Sequence, residues 1–201
     1  MTEFWIIIIS ALGIGFILRK FVFDSDESEF EDVVSILQEM ERKWNGTLTL
    51  SKGKTLLKIP YKDITIEVSV KQMSGELGSL DFFYAQFKSD AHVDRDFSVI
   101  GESTPIHKPY FKRVEMSDER FREKYITSCS DISFFSSVLT PEIKDKLVNE
   151  KLSVRFGSKM HRVIGEKGWL TVFCWMFARK PDYNAVIETA IMFYERFEEL
   201  K

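Results

Sequence analysis

The chain has 201 residues, a formal charge of −3, 44% hydrophobic residues and 29% charged residues. This is too apolar for a disordered chain. The near-neutral balance, with basic residues in runs no longer than two, excludes the clustered positive footprint that nucleic acid requires.

The first segment decides the organisation. Phe4–Leu18 reads FWIIIISALGIGFIL without a charge; Arg19 and Lys20 follow, then Phe21, Val22 and Phe23. As a helix the uncharged run measures about 22 Å, and through Phe23 about 30 Å, the hydrocarbon thickness of a bilayer. Phe4, Ile6, Ile7, Ile8, Ile9, Leu12, Ile14, Phe16, Ile17 and Leu18 supply an insertion free energy of roughly 3–6 kcal/mol. Trp5 takes the place of an interfacial aromatic. A cleaved secretory signal would open with positive charge and close on small residues, whereas this segment opens with Glu3. An amphipathic core helix would show a polar face, and none is present. Thr2 rules out myristoylation, which needs glycine there. The sequence therefore predicts a transmembrane anchor at residues 1–23 and a soluble domain at residues 24–201. Arg19 and Lys20 place that domain on the cytoplasmic side of a cell membrane, by the positive-inside rule.

The roughly 180 residues after the anchor can bury roughly 70% of their unfolded surface, so a core forms without disulfides or metal. Cys129 and Cys174 make no CxxC pair and read as free thiols. Eighteen phenylalanines point first to a Phe-built core, and second to an apolar pocket.

Asp24–Glu29 is an acidic spacer or helix start. Ser28 and Glu31 form a capping-box pattern, and Phe30, Val33, Val34, Leu37, Met40 and Trp44 make one helical stripe. Asn45-Gly46 supplies a left-handed stop. Strands are predicted at Thr47–Ser51, Thr55–Tyr61 and Asp63–Lys71, the last with Ile64, Ile66, Val68 and Val70 on one face. Met73–Ser79 reads as a loop. Phe82–Phe87, Phe97–Ile100 and Tyr110–Met116 read as short strands, with an exposed Glu102–Pro109 connection. A helical turn at Ser117–Tyr125 leads to a strand ending at Cys129. Asp131 caps a helix through Leu139, and Thr140-Pro141 starts another that runs to Asn149. Leu152–Phe156 and Met160–Gly165 are predicted to pair as a hairpin. Trp169–Phe177, apolar on both faces, is predicted as a central strand. The last helix, Asp182–Leu200, carries the stripe Tyr183, Val186, Ile187, Ala190, Tyr194 and Phe197, and Glu198-Glu199 opposes its dipole.

The predicted fold is thus α+β: one transmembrane helix, then a mostly antiparallel sheet packed by two amphipathic helices. Helix, strand, strand, strand runs from Glu29 to Lys71 and again from Pro141 to Phe177, as an α-β-β-β duplication would. Chance is the competing explanation and is preferred.

Candidate chemistry is sparse. Asp90, His92, Asp94 and Asp96 alternate, so an extended chain would project all four to one side, where a divalent ion could sit. The calcium-loop pattern fails, with Arg95 at the position of the invariant glycine, and a polar loop or charged edge-strand face is the preferred reading. Cys129, His161 and Asp131 could be drawn as nucleophile, base and orienter. No positive group stands near Cys129 to favour a thiolate, so a buried apolar cysteine is preferred. Phe82, Phe83, Tyr84 and Phe87 could line an apolar cavity, though core packing is the commoner fate. Gly75, Gly78 and Gly101 compose no phosphate loop, and His107 between two prolines reads as exposed.

Arg120–Leu147 (RFREKYITSCSDISFFSSVLTPEIKDKL) resembles a pattern in uncharacterised bacterial membrane-anchored domains of unknown function. Phe121, Tyr125, Ser130, Asp131, Leu139, Thr140, Pro141 and Glu142 carry the likeness. It implies architecture and transfers no activity or cofactor. The sequence thus points to a membrane-tethered, non-enzymatic binding or scaffolding module, with the bilayer and a protein at the membrane as partners. The alternatives are a tethered apolar-ligand or lipid-binding domain, and a hydrolase using Cys129 with His161 or a metal at Asp90–Asp96.

Overall fold

The computed structural model describes residues 33–51, 54–75, 78–92, 94–101, 113–157, 168–175 and 182–201. The predicted anchor, Phe30, the Ser28/Glu31 cap, His107, His161 and the Met160–Gly165 strand lie outside the described residues. Among the described residues, no helix is long and apolar enough to cross a membrane.

An eight-stranded, wholly antiparallel sheet forms the body, with strand order β1-β2-β3-β4-β8-β7-β5-β6. The strands are β1 (Thr47–Ser51), β2 (Lys54–Tyr61), β3 (Ile64–Gly75), β4 (Gly78–Lys88), β5 (Phe97–Gly101), β6 (Tyr125–Cys129), β7 (Ser153–Phe156) and β8 (Trp169–Trp175). Helix α1 covers residues 33–43. Helices α2 (Glu119–Arg122), α3 (Ile132–Val138), α4 (Pro141–Glu150) and α5 (Tyr183–Glu199) follow.

Most boundaries match local chemistry. Asn45 takes the left-handed conformation after α1, with φ 50°, and the Gly46 N–H reaches back to the Glu41 carbonyl at 2.9 Å. Asp131 accepts from the Phe134 N–H at 3.0 Å and starts α3; Thr140 accepts from the Ile143 N–H at 3.3 Å, with proline in the first turn of α4. Two regions differ from expectation. β3 and β4 continue through the predicted 73–79 loop as one long hairpin, in register down to Gly75 opposite Gly78. The glycines mark the hairpin's tip, where the ladder still holds. Within the predicted Tyr110–Met116 strand, the described part makes only an isolated bridge, Arg113 to Ser128. β7 pairs with β8 and β5.

The sheet's period of two sorts its side chains. On one face lie Leu57, Ile59, Ile66, Val68, Phe83, Ala85, Phe87, Phe97, Val99, Val154, Phe156, Leu170 and Val172, all essentially inaccessible to water. α5 covers this face with Val186, Ile187, Ala190, Phe193 and Phe197. Phe97 is the hub: Phe135 and Phe156 each lie 5.5 Å from its ring, with Phe193 at 6.1 Å and Phe134 at 6.3 Å. Much of the phenylalanine surplus is therefore core. The opposite face carries a small separate cluster of Phe82, Ile100 and Phe173 with Tyr84 beside it. The Arg155 guanidinium lies over the Phe173 ring at 5.4 Å.

Polar ties fix the helices. The Trp44 indole N–H donates to Asn184 at 3.0 Å, joining α1 to α5. Lys146 and Glu188 pair at 2.8 Å between α4 and α5, and the Arg196 side chain donates to the Ser137 carbonyl of α3 at 2.8 Å. The acidic end of α5 is held by ion pairs Arg196–Glu199 and Lys201–Glu198, which offset the unfavourable dipole.

Candidate functional site: a polar cavity at the end of the last helix

The tight β2–β3 turn places Lys62 (φ 51°) and Asp63 against the last turns of α5. A cavity of about 340 Å³ opens there, lined by Asp63, Thr65, Glu67, Lys88, Ser89, Asp90, Trp169, Tyr194, Glu198 and Lys201 together with Ile64. It is walled by polar groups, in contrast to an apolar ligand pocket.

Tyr194 is buried as a ring, yet its hydroxyl emerges at the cavity and donates to the Asp63 carboxylate. The bond holds the Asp63 carboxyl below its ordinary range, and it pushes the Tyr194 phenol up to about 12. A parallel link lies beside it. The Tyr61 hydroxyl donates to Glu195 at 2.7 Å, and the Lys62 ammonium reaches the same oxygen at 3.1 Å. Both bonds lower the Glu195 pKa, and Glu195 in turn raises those of Tyr61 and Lys62. The Tyr61 and Tyr194 rings meet edge to face at 5.8 Å, with the Lys62 ammonium 5.4 Å and 5.7 Å from their centres. Every partner is matched in its charged or donor state. This arrangement clamps turn to helix.

Sequence reasoning did not find this cluster. Its partners are 131 to 134 positions apart. The visible signal was the spacing of Glu195 and Glu198 along the polar edge of α5, with Lys201 just beyond its end.

The residues drawn from sequence are dispersed. Asp90 and His92 lie in bends, Asp94 in a turn and Asp96 directly before β5, and His92 has φ 60°, so the extended arrangement that would align them is absent. Asp90 lines the cavity. The His92 ring stacks on Phe134 at 4.6 Å, with its Nε2 atom buried. The Asp96 carboxylate is buried against the Cα of Gly157, where an added Cβ would fall 1.6 Å from Oδ1. Among the described residues, no group of three or more histidine, cysteine, aspartate or glutamate side chains is placed to hold a metal ion.

Cys129 ends β6, opposite Phe97 in register. Burial pushes its thiol pKa up, and the nearby Asp131 charge adds to the effect. Both act against the thiolate that a nucleophile needs. Cys174 is buried in β8 and pushed up to about 12 by desolvation. His161, the base drawn beside Cys129, lies outside the described residues. Asp131 serves as the α3 cap and meets Arg95 at 3.7 Å.

Phe121, Tyr125, Ser130, Asp131, Thr140 and Pro141 all serve structure. The Phe121 and Tyr125 rings stack at 4.7 Å, the Tyr125 hydroxyl donates to the Leu147 carbonyl at 2.5 Å, and the Ser130 N–H donates to the Asp96 carbonyl at 2.8 Å. Comparison with known proteins returned no matching family model, no matching curated protein and no matching solved structure.

Proposed function

We propose that this protein is a membrane-tethered binding or scaffolding module without catalytic activity. The observation that carries the proposal is the uncharged run Phe4–Leu18, closed by Arg19 and Lys20. A segment of that length and composition partitions into a bilayer, and the two cations orient the body toward the cytoplasm. Tethering raises the local concentration of the body near partners at the same surface, so weak contacts become sufficient.

Three features support a binding role over the alternatives. The raised thiol pKa of Cys129 disfavours nucleophilic catalysis. Phe83, Phe87 and Phe97 pack into the core, which weakens the case for a phenylalanine-lined lipid pocket. At the α5 cavity the Asp63 carboxylate is taken by Tyr194 and the Glu198 carboxylate by Lys201. The likeness of Arg120–Leu147 to membrane-anchored domains agrees with the tether. Of the α-β-β-β repeat, for which chance is the preferred explanation, the described residues carry one shared feature: α1 and α4 both close on a left-handed residue, Asn45 at φ 50° and Lys151 at φ 55°, before an antiparallel strand.

The test is fractionation of the uncleaved full-length chain. It is expected in the membrane pellet after an alkaline carbonate wash, and released by detergent. Replacement of Ile8 and Leu12 by Asp is expected to move it to the supernatant. Recovery of the unaltered chain in the supernatant would end the proposal.

A further inference from the structure

β1 closes one side of the sheet, and its outer side meets no strand among the described residues. Its sequence, TLTLS, holds no charge and no proline, the usual guards of an edge. Four of its five residues are exposed, with Leu50 at 52%. One guard comes from outside the strand. The Leu48 N–H donates to the Glu41 carboxylate of α1 at 2.7 Å. In an antiparallel ladder a residue's N–H and C=O face the same side, and alternate residues face alike. Leu48 and Leu50 therefore aim their main-chain groups outward, while Thr47, Thr49 and Ser51 aim theirs at β2.

The geometry points to a homotypic docking edge: β1 of one copy adds antiparallel to β1 of a second copy, about a two-fold axis at Thr49. This register sets Leu48 opposite the second copy's Leu50, Thr49 opposite Thr49, and Thr47 opposite Ser51. Leucines then share one face and small hydroxyl residues the other. Leu48 already packs at the margin of the core, so the incoming leucine extends that apolar layer across the junction. Leu48 and Leu50 exchange main-chain bonds with their counterparts in both directions. An arbitrary extended peptide lacks this match; a second copy has it by symmetry.

Glu41 restrains the edge, because Leu48 cannot bond a second copy while the carboxylate holds its N–H. A five-residue ladder also falls well below the roughly 1,200 Å² of a stable interface. The association is accordingly weak and gains from anything that concentrates copies. A bilayer would do so if the proposed tether holds; the edge itself does not depend on it.

The test uses the full-length chain in detergent micelles, so its outcome is separate from membrane partition. Thr49→Cys places two thiols across a non-hydrogen-bonded pair with Cα atoms about 4.5 Å apart, within disulfide range. Cys129 and Cys174 are buried and give a low background. Ser51→Cys is the control, because the register offsets its two copies. Under mild oxidation Thr49→Cys is expected to form a covalent dimer, and Ser51→Cys is not. Adding Glu41→Ala should raise the rate of dimer formation roughly tenfold, as expected for loss of a charge-assisted bond. Adding Leu50→Lys should abolish it by setting a charge in the junction. Equal rates for the two cysteine variants, or rates indifferent to both Glu41→Ala and Leu50→Lys, would overturn the inference.

Discussion

The Tyr194 hydroxyl donates to Asp63, and this bond moves the two groups in opposite directions on the pH scale. The carboxylate is favoured because it accepts, and the phenol is favoured because it donates. Tyr194→Phe removes the largest cause and is therefore expected to raise the Asp63 carboxyl toward the ordinary value of about 3.9. The measurement is a carboxyl-carbon NMR titration of Asp63 in both proteins. An unchanged midpoint would show that the bond does not form in solution. The same variant should remove the last ultraviolet tyrosinate transition assigned to this site, expected at about 12.

Stability should follow pH through the same groups. Asp63 and Glu195 have folded-state pKa values below their unfolded ones. Their contribution is complete above the unfolded range, near 4, and is lost as pH falls through the folded values. Tyr61 and Tyr194 shift upward, so their contribution is complete below about 10 and is lost as pH rises. The Tyr61→Phe/Tyr194→Phe double variant should show a flatter stability curve in both the acid and alkaline limbs. Denaturant melts across pH 3 to 11 would read it. Parallel curves for the two proteins would contradict the assignment.

What was legible in the sequence was local. The capping residues Asp131 and Thr140 act within three positions, and β1 carries its own alternation. The helical stripe of α5 named Val186, Ile187, Ala190, Tyr194 and Phe197 correctly, but missed Phe193, which α5 also buries. Glycine misled at Gly75 and Gly78, because it marks both loops and hairpin tips. The α5 cavity was hidden for a different reason: Asp63 meets Tyr194 through sheet topology, which no short window contains. The alternation of Asp90, His92, Asp94 and Asp96 implies one shared side only on extended backbone, and the His92 φ of 60° breaks it.

Phe97 sits where β5, α3, α5 and β7 converge, with no accessible surface. Phe97→Ala removes the ring on which five others pack and leaves a cavity that those bulky neighbours cannot fill. A loss of about 3–5 kcal/mol is expected. Phe97→Leu keeps most of the volume and should cost less. Urea unfolding midpoints at constant slope would measure both, and a loss under about 1 kcal/mol for the alanine variant would mean that the site collapses.

Cys129 offers a chemical test of the core. Burial and the Asp131 charge both oppose its thiolate. Native protein at pH 7.5 should therefore react with iodoacetamide far more slowly than a free thiol, and unfolding should restore the ordinary rate. Asp131→Asn removes the charge and should speed the reaction modestly, while Cys174, pushed up to about 12, should stay inert in both. Rapid labelling of native Cys129, confirmed by peptide mass mapping, would reopen the nucleophile reading.

Gly157 is held at φ 120°, and its missing side chain is where the Asp96 carboxylate packs. Two costs follow for Gly157→Ala: a backbone conformation that L residues rarely adopt, and an overlap of a Cβ with Asp96 Oδ1 at 1.6 Å. Together they should destabilise the fold by on the order of 3 kcal/mol or more. The two costs can be separated. Asp96→Ala alone should be destabilising, because it empties a buried position. In the double variant the overlaps with Oδ1 and Cγ are gone, while the backbone strain and a 2.8 Å approach to the Cβ of position 96 remain, so the combined loss should fall short of the sum of the single losses. A double-mutant cycle by urea denaturation reads the difference. Strict additivity would show that Gly157 and Asp96 do not meet.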